Sequence, residues 1–403
     1  MPSSPSPATP STNSTLDLLK QLVAFDTTSH LPNLGLIAWA ADYLAKAGFA
    51  VHLLPSVGAD VSSGKANLLA IAGDANQPAV MLTGHSDVVP VADQAWDSDP
   101  FALTVRGDRA YGRGSCDMKG FLASVLAAAP AFGAAAKSGR LKQPLAVVMT
   151  FDEETLMTGA DEFLAHLQGM TAKPAAIIIG EPTNMQVVEG HKSSITHETI
   201  IHGLGAHSSN PMLGANALLP MAEVLQFIDQ MAVQAAANPI AGSRFDPPYT
   251  TFNLGVLTGG TAHNITAPRA SLIWQMRTEP SDDWQDYAAR FDHWLQHDLM
   301  PRWQKIHPAF RAENHLHEAH FALKPTANNP AAELAAQLTG HNQRQVVAYC
   351  TEGGVFQQAD IPIVICGPGS IDQAHQANEW VALDQLQQCD RFMERLLTHL
   401  QQG

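Results

Sequence analysis

Residues 145–154 read LAVVMTFDEE. The first seven form an apolar run of strand length, which reads as a strand buried on both faces. At its carboxyl end come three consecutive carboxylates, Asp152, Glu153 and Glu154. The same grammar recurs at 66–71, 79–83, 175–179, 345–348 and 363–366, where short apolar runs give way to polar loops. Residues 37–47, closed by Gly48, and residues 121–129 and 159–167 read as helices between them. Strand and helix in alternation predict an α/β fold with a mostly parallel sheet, whose ligand site lies beyond the carboxyl ends of its strands.

Working outward, 403 residues exceed one ordinary core, so two domains are expected. From Gly190 the pattern becomes β-α-β-β-α, with strands at 194–201, 251–257 and 270–277 and helices at 215–231 and 284–299, a small α+β unit. The expected division is therefore a catalytic domain at 15–189 and 310–403, interrupted by an inserted lid at 190–309. Residues 1–14, rich in Pro, Ser and Thr, read as a disordered tail with neither the basic nor the apolar region of a secretory signal.

A net charge of −15 speaks against a nucleic-acid partner. No membrane segment is expected, because the most apolar stretch, 122–136, contains Pro130 and Gly133. Four cysteines without a C-x-x-C pair fit reduced thiols in a cytoplasmic protein. There is no G-x-S-x-G elbow and no phosphate-binding glycine loop, so serine hydrolases and nucleotide enzymes have no support.

Five segments carry candidate chemistry. In VMLTGHSD, His85 and Asp87 share a face of extended chain, so the pair suits a metal and its orienting carboxylate; a surface pair reads the same way. In GRGSCDMKG (112–120), Asp117 lies between glycines at a helix mouth, either as a ligand or as a helix cap. The acids of TFDEE (150–154) repel one another at a buried strand end unless a cation offsets them, or else open a solvated helix. One could bind metal while its neighbour serves as general base. Glu181 follows IIIG before a proline turn, and His375 lies in GPGSIDQAHQANEW, past another buried strand. Two histidines and several carboxylates at five strand ends form the mixed donor set that two zinc-class ions need. Ions about 3.5–4 Å apart share and acidify a water, the chemistry of amide hydrolysis.

Taken in order, these motifs resemble the zinc aminoacylase and peptidase family (M20), and the resemblance runs from Leu16 through nearly the whole chain. It implies that His85 and Glu181 hold one metal and Glu154 and His375 the other, with Asp117 bridging, as two Zn2+ per subunit, with Co2+ the alternative that also suits such ligands. It further implies that Asp87 orients His85, that Glu153 is the general base, and that the inserted domain is a lid that also forms a homodimer. His207, in GLGAHSSNP, would reach across that dimer to stabilise the oxyanion; taken alone it reads as a surface histidine.

The substrate expected is a small N-acyl amino acid. Within that family, LVAFDTTSHLPN, LGVLTGGTAHNITAP and YCTEGG resemble the members that act on N2-acetylated ornithine, and the resemblance implies that substrate. Succinyl-diaminopimelate, other N-acyl amino acids and dipeptides are the alternatives, and an inactive binding module of the same fold is the alternative of another class. Arg277 would clamp the α-carboxylate, or else pair with Glu279 or Asp282. Lys192, Ser194, Asn264 and Thr351 are further contact candidates, and Glu352 would face a side-chain ammonium on charge complementarity. HSD stands where HTD is commoner, and HKSS (191–194) where HKG is usual. His315, His317 and His320 cluster in HLHEAH without a carboxylate and cysteine set, and no metal is expected there.

Overall fold

The computed structural model describes residues 12–57 and 64–402. Its strands are β1 (Ala50–Pro55), β2 (Ala66–Ala72), β3 (Val80–His85), β4 (Thr104–Arg106), β5 (Arg109–Tyr111), β6 (Leu145–Thr150), β7 (Ala176–Pro182), β8 (Val187–His191), β9 (Ser194–His202), β10 (Thr251–Gly259), β11 (Arg269–Arg277), β12 (Arg311–His320), β13 (Arg344–Val347), β14 (Ile363–Gly367) and β15 (Trp380–Ala382). The helices are α1 (Thr12–Val23), α2 (Leu34–Ala47), α3 (Lys119–Lys137), α4 (Thr158–Gly169), α5 (Leu218–Ala237), α6 (Trp284–Trp294), α7 (Met300–Ile306), α8 (Pro330–Thr339), α9 (Gly353–Phe356) and α10 (Leu383–Gln402). The chain divides into two compact units: 1–189 with 325–345 and 351–403, and 190–324 with 346–350.

The first unit is built on a sheet of order β1-β2-β6-β3-β7-β14-β8-β13. Its centre, β6, β3, β7 and β14, is parallel, with β2 and β8 antiparallel on either side. Every residue of β2, β3, β6, β7 and β14 is buried, as expected of strands covered on both faces. α3 is the covering helix, with α1, α2 and α10 packed against it. It lies so close to the sheet that a Cβ on Gly180 would sit 2.0 Å from the Phe121 ring. By length and composition α3 is apolar enough to cross a membrane, but 72% of that stretch is buried inside the protein, where it serves as the core helix.

The expected helix at 121–129 continues through Pro130 and Gly133 to Lys137. Gly133 is the reason α2 can come so near, since a Cβ there would meet the Ala47 carbonyl at 1.7 Å. The second unit is a sheet of order β10-β11-β9-β12, covered by α5 and α6 around Trp274 and Phe291.

Two domain boundaries differ from expectation. α1 begins at Thr12, so 12–14 belong to a helix rather than a tail; residues 1–11 lie outside the described residues. The second unit runs to Lys324 rather than 309, because 311–320 pair with β9 as its fourth strand. The alternation of β12 is hidden by its own composition, RAENHLHEAH, which is largely polar and half exposed. Among the described residues no disulfide joins Cys116, Cys350, Cys366 or Cys389.

Candidate active site

Parallel pairing sets His85 beside Thr150, Ile179 beside Ile365 and Pro182 beside Gly367, so β3, β6, β7 and β14 end together. The residues just past those ends converge. His85 Nε2 lies 3.0 Å from Asp117 Oδ1 and 3.8 Å from Glu181 Oε1. His375 Nε2 lies 3.3 Å from the other Asp117 oxygen, Oδ2, and 2.8 Å from Glu154 Oε2. The donor atoms thus fall into two groups suited to metal, His85–Asp117–Glu181 and Asp117–Glu154–His375, which share Asp117. HLHEAH forms no such group among the described residues; its histidines face Glu313, Glu198 and Glu318.

The electrostatics ask for cations. Desolvation, with the neighbouring carboxylates, pushes Glu153 and Glu181 well above the usual range and Glu154 up to about 7. Desolvation opposes the charged form of Asp117 too, but hydrogen bonds from His375 and His85 hold its carboxyl low. Hydrogen bonds to Asp117 and Glu154 raise His375 to about 10. Desolvation works against a charged His85, yet Asp117 and Glu181 carry its pKa well up. Imidazole nitrogens and carboxylate oxygens are the donors that zinc-class ions take, and one carboxylate facing two histidines suits a shared ligand.

The layer behind these residues was only partly legible. The oxygen nearest His85 Nδ1 is Asp87's backbone carbonyl at 2.9 Å, with its carboxylate Oδ1 at 3.6 Å. That carboxylate instead accepts from Ser29 Oγ (2.7 Å) and from the backbone amides of Glu153 (3.2 Å) and Glu154 (3.3 Å). Asp87 thus fixes the loop that carries both glutamates, a role the H-x-D spacing does not reveal. Lys65 Nζ braces the same loop by donating to Ser29 O and Asp152 Oδ1, both at 2.5 Å. Asp152 (φ 61°) and His375 (φ 61°) both adopt the left-handed backbone region, uncommon for non-glycine residues and concentrated at functional sites. Arg113 and Glu379, which the sequence reading missed, form a buried pair at 2.8 Å beside Asp117. Glu379, four residues past His375 in the same motif, was the available signal.

The remaining candidates divide between the units. Thr351 and Glu352 belong to the unit with the histidine and carboxylate cluster. Glu352 is buried, its Oε1 has no hydrogen-bond partner, and desolvation raises it to about 7. Thr351 Oγ1 accepts from the Gly353 amide.

His207, Lys192, Ser194, Asn264 and Arg277 lie in the second unit. There His207 and Asn264 are neighbours on exposed loops, the Ser208 amide donating to Asn264 O. Lys192 Nζ donates to the carbonyls of Pro247 and Tyr249, both at 2.7 Å. Ser194 Oγ accepts from Gln275. Arg277 donates through Nε to Gln275 and keeps Nη1 buried without a partner. Glu279 takes the Ser243 hydroxyl and Asp282 those of Thr250 and Tyr287, so neither engages Arg277.

Comparison with known proteins agrees with this geometry. Residues 81–399 match peptidase family M20/M25/M40. The chain is 32% identical to an acetylornithine deacetylase of Myxococcus xanthus over 383 residues, 94% of this chain and 96% of that protein. It is 32% identical to another from Pasteurella multocida (strain Pm70), over 95% and 97% of the two chains. Among solved structures, a tripeptidase from Staphylococcus aureus superposes with a TM-score of 0.75 at 18% identity, covering 98% of this chain and all of that one. An M20 family metallo-carboxypeptidase from Sulfolobus solfataricus gives 0.74 at 17% identity, over 96% and 99%. Converging strand ends, a shared aspartate between two donor groups and these matches lead to one conclusion: the chain is a hydrolase belonging to peptidase family M20/M25/M40.

Proposed function

We propose that this hydrolase removes the acetyl group from N2-acetyl-L-ornithine, giving ornithine and acetate. The observation that carries the reading is Asp117, whose two carboxylate oxygens each face a different histidine. His85 and Glu181 would hold one ion and Glu154 and His375 the other, with Asp117 between; Zn2+ or Co2+ fits the donors. When bound, the ions supply an acidified water and polarise the acyl carbonyl.

Glu153, whose carboxyl is pushed up by desolvation, takes the proton from that water and returns it to the leaving amine. Asp87 and Lys65 keep the 152–154 loop in place. Buried Glu352, with one oxygen unpartnered, receives the ammonium of the ornithine side chain. Arg277, with a free Nη1, receives the α-carboxylate.

His207 acts across a homodimer formed by the second unit. The exposed edge strand β10 supports that assembly, since Leu254, Val256 and Leu257 stand about half exposed on it. An apolar, unpaired edge of this kind is a template for pairing with a second copy. The relatives' names support the substrate.

The test is steady-state hydrolysis of N2-acetylornithine, N-succinyl-diaminopimelate and N-acetylmethionine, with metal-reconstituted and chelated enzyme. Chelator-sensitive activity that prefers acetylornithine is expected. Preference for another substrate moves the reading to a sister activity, and absence of any metal-dependent turnover overturns it.

A further inference from the structure

Asp117 and His375 reach the site from loops more than 250 residues apart in sequence, and His375 has little packing of its own, its side chain being 53% exposed. What joins the two loops is a closed set of hydrogen bonds. Glu379 Oε1 accepts from the amides of Cys116 (2.9 Å) and Asp117 (3.0 Å), and Oε2 accepts from the Gly114 amide (2.9 Å) and Arg113 Nη1 (2.8 Å). Arg113 and Glu379 are each 1% exposed. The other arm of the guanidinium, Nη2, donates to Gln94 Oε1 at 2.5 Å. Gln94 Nε2 donates in turn to the backbone carbonyl of His375 at 3.1 Å. Arg113 Nη1 also reaches Gln376 O, and the guanidinium lies over Trp96, 5.1 Å from its ring centre. Planarity suits arginine to this place, because it serves Glu379 and Gln94 from one rigid fork.

We infer that Glu379, Arg113 and Gln94 are positioning residues that set the spacing between Asp117 and His375, and so tune the ion held by Asp117, Glu154 and His375 in preference to the one held by His85 and Glu181. The inference rests on the two-metal reading above. The selectivity follows from connectivity: Asp117 faces both histidines and so serves both ions, but the strap also holds the backbone of His375, which serves only one, whereas His85 and Glu181 are part of sheet strands β3 and β7 and need no such brace. Partners that orient ligands in this way commonly govern affinity by about 10- to 100-fold.

Isothermal titration with Co2+ or Zn2+ into metal-stripped protein tests it. Wild type is expected to bind two ions. Gln94→Ala, at a half-buried site where loss of the fold is not expected, should weaken one ion about 10- to 100-fold and leave the other unchanged, and Glu379→Gln, which also loosens the shared Asp117, should weaken that same ion by more than the other. In a His375→Ala background, Gln94→Ala should have no further effect, because its target is already gone. The inference is overturned if both substitutions leave both affinities at wild-type values, if both ions weaken equally, or if the Gln94 effect persists without His375. Wild type binding fewer than two ions would bring down the two-metal reading itself.

Discussion

Glu153 and Glu154 are neighbours with divergent surroundings, and that divergence assigns their work. Glu154 faces His375 at 2.8 Å, whereas the Glu153 carboxyl is pushed up first by desolvation, with His85 favouring its ionised form and Glu154, Glu352 and Asp117 opposing it. Glu153→Ala should lower kcat by roughly 10²- to 10⁴-fold while metal content, measured by atomic absorption, stays at the wild-type level. Glu352 bears on selectivity. Its replacement by glutamine should cut kcat/KM for acetylornithine about 10- to 100-fold, the scale of one hydrogen bond to a charged group, and leave N-acetylmethionine nearly unaffected. Equal losses on both substrates would remove Glu352 from ammonium recognition.

Metal uptake should depend on pH through the same residues. Glu154 near 7 and His375 near 10 must both shed protons to become ligands. Apparent affinity for Zn2+ should therefore rise from pH 6 to pH 8, which a competition assay with a calibrated chelator would show; a flat profile would contradict the ligand set.

His85, Glu154, Glu181 and His375 were legible as candidates because each comes after an apolar run at a strand's carboxyl end, and Asp117 because it stands between glycines at a helix mouth; the register of β3, β6, β7 and β14 brings those strand ends together. Their supports were not. Ser29, Lys65, Gln94 and Arg113 are ordinary polar residues in loops, and only folding sets them against Asp87, Asp152, Glu379 and the His375 carbonyl. The same limit applies to Lys192: its position in the chain was plain, but the carbonyls that occupy it come from 247 and 249.

At the scale of elements, the packing of α1, α3 and α10 contains an unusual cost. Asp390, on α10, is 4% exposed; one oxygen accepts from Thr15 Oγ1 on α1 and the other has no partner. Desolvation raises this carboxyl to about 6, against roughly 3.9 for an unfolded aspartate. A folded-state pKa above the unfolded one means that the folded form binds the proton more tightly. The contribution of Asp390 is therefore most favourable at low pH and is lost as pH climbs from about 4 through 6. Asp390→Asn should accordingly raise Tm at pH 7.5, with the gain shrinking towards pH 4; a lower Tm at pH 7.5 would show that the ionised carboxylate is needed.

Elements also mark where sequence patterning loses force. Buried strands such as β2 and β6 were readable because both faces are covered. β12 was not, because one of its faces carries His315, His317 and their glutamate partners in solvent. α3 shows the opposite failure, in which Pro130 looked like a stop but helices packed on several sides carry the helix past it.

For the whole molecule, the decisive prediction concerns two copies. If β10 is the contact edge, Val256→Asp should shift the protein to monomer by analytical ultracentrifugation and abolish turnover together, because His207 would then lack a partner site. A stronger test mixes two inactive variants, Glu153→Ala and His207→Ala. A mixed dimer contains one site with Glu153 intact and His207 supplied by the other chain, so activity should return on mixing. No return would place His207 within its own subunit's site, and a His207→Ala protein active by itself would place it outside the chemistry.

The insertion also has a consequence for how the protein is made. β7 and β14 lie side by side in the sheet although some 180 residues separate them in sequence. A ribosome delivers residues in order, and domains fold as they emerge. The unit at 190–324 can thus acquire its own core while the central sheet still lacks a strand. His85, Asp117, Glu154 and Glu181 are all synthesised before that gap closes, and His375 comes only after β14. The nascent chain therefore holds an incomplete cage until β14 and the loop with His375 have followed the inserted unit, so on the two-metal reading capture of the second ion waits for segments made after that unit.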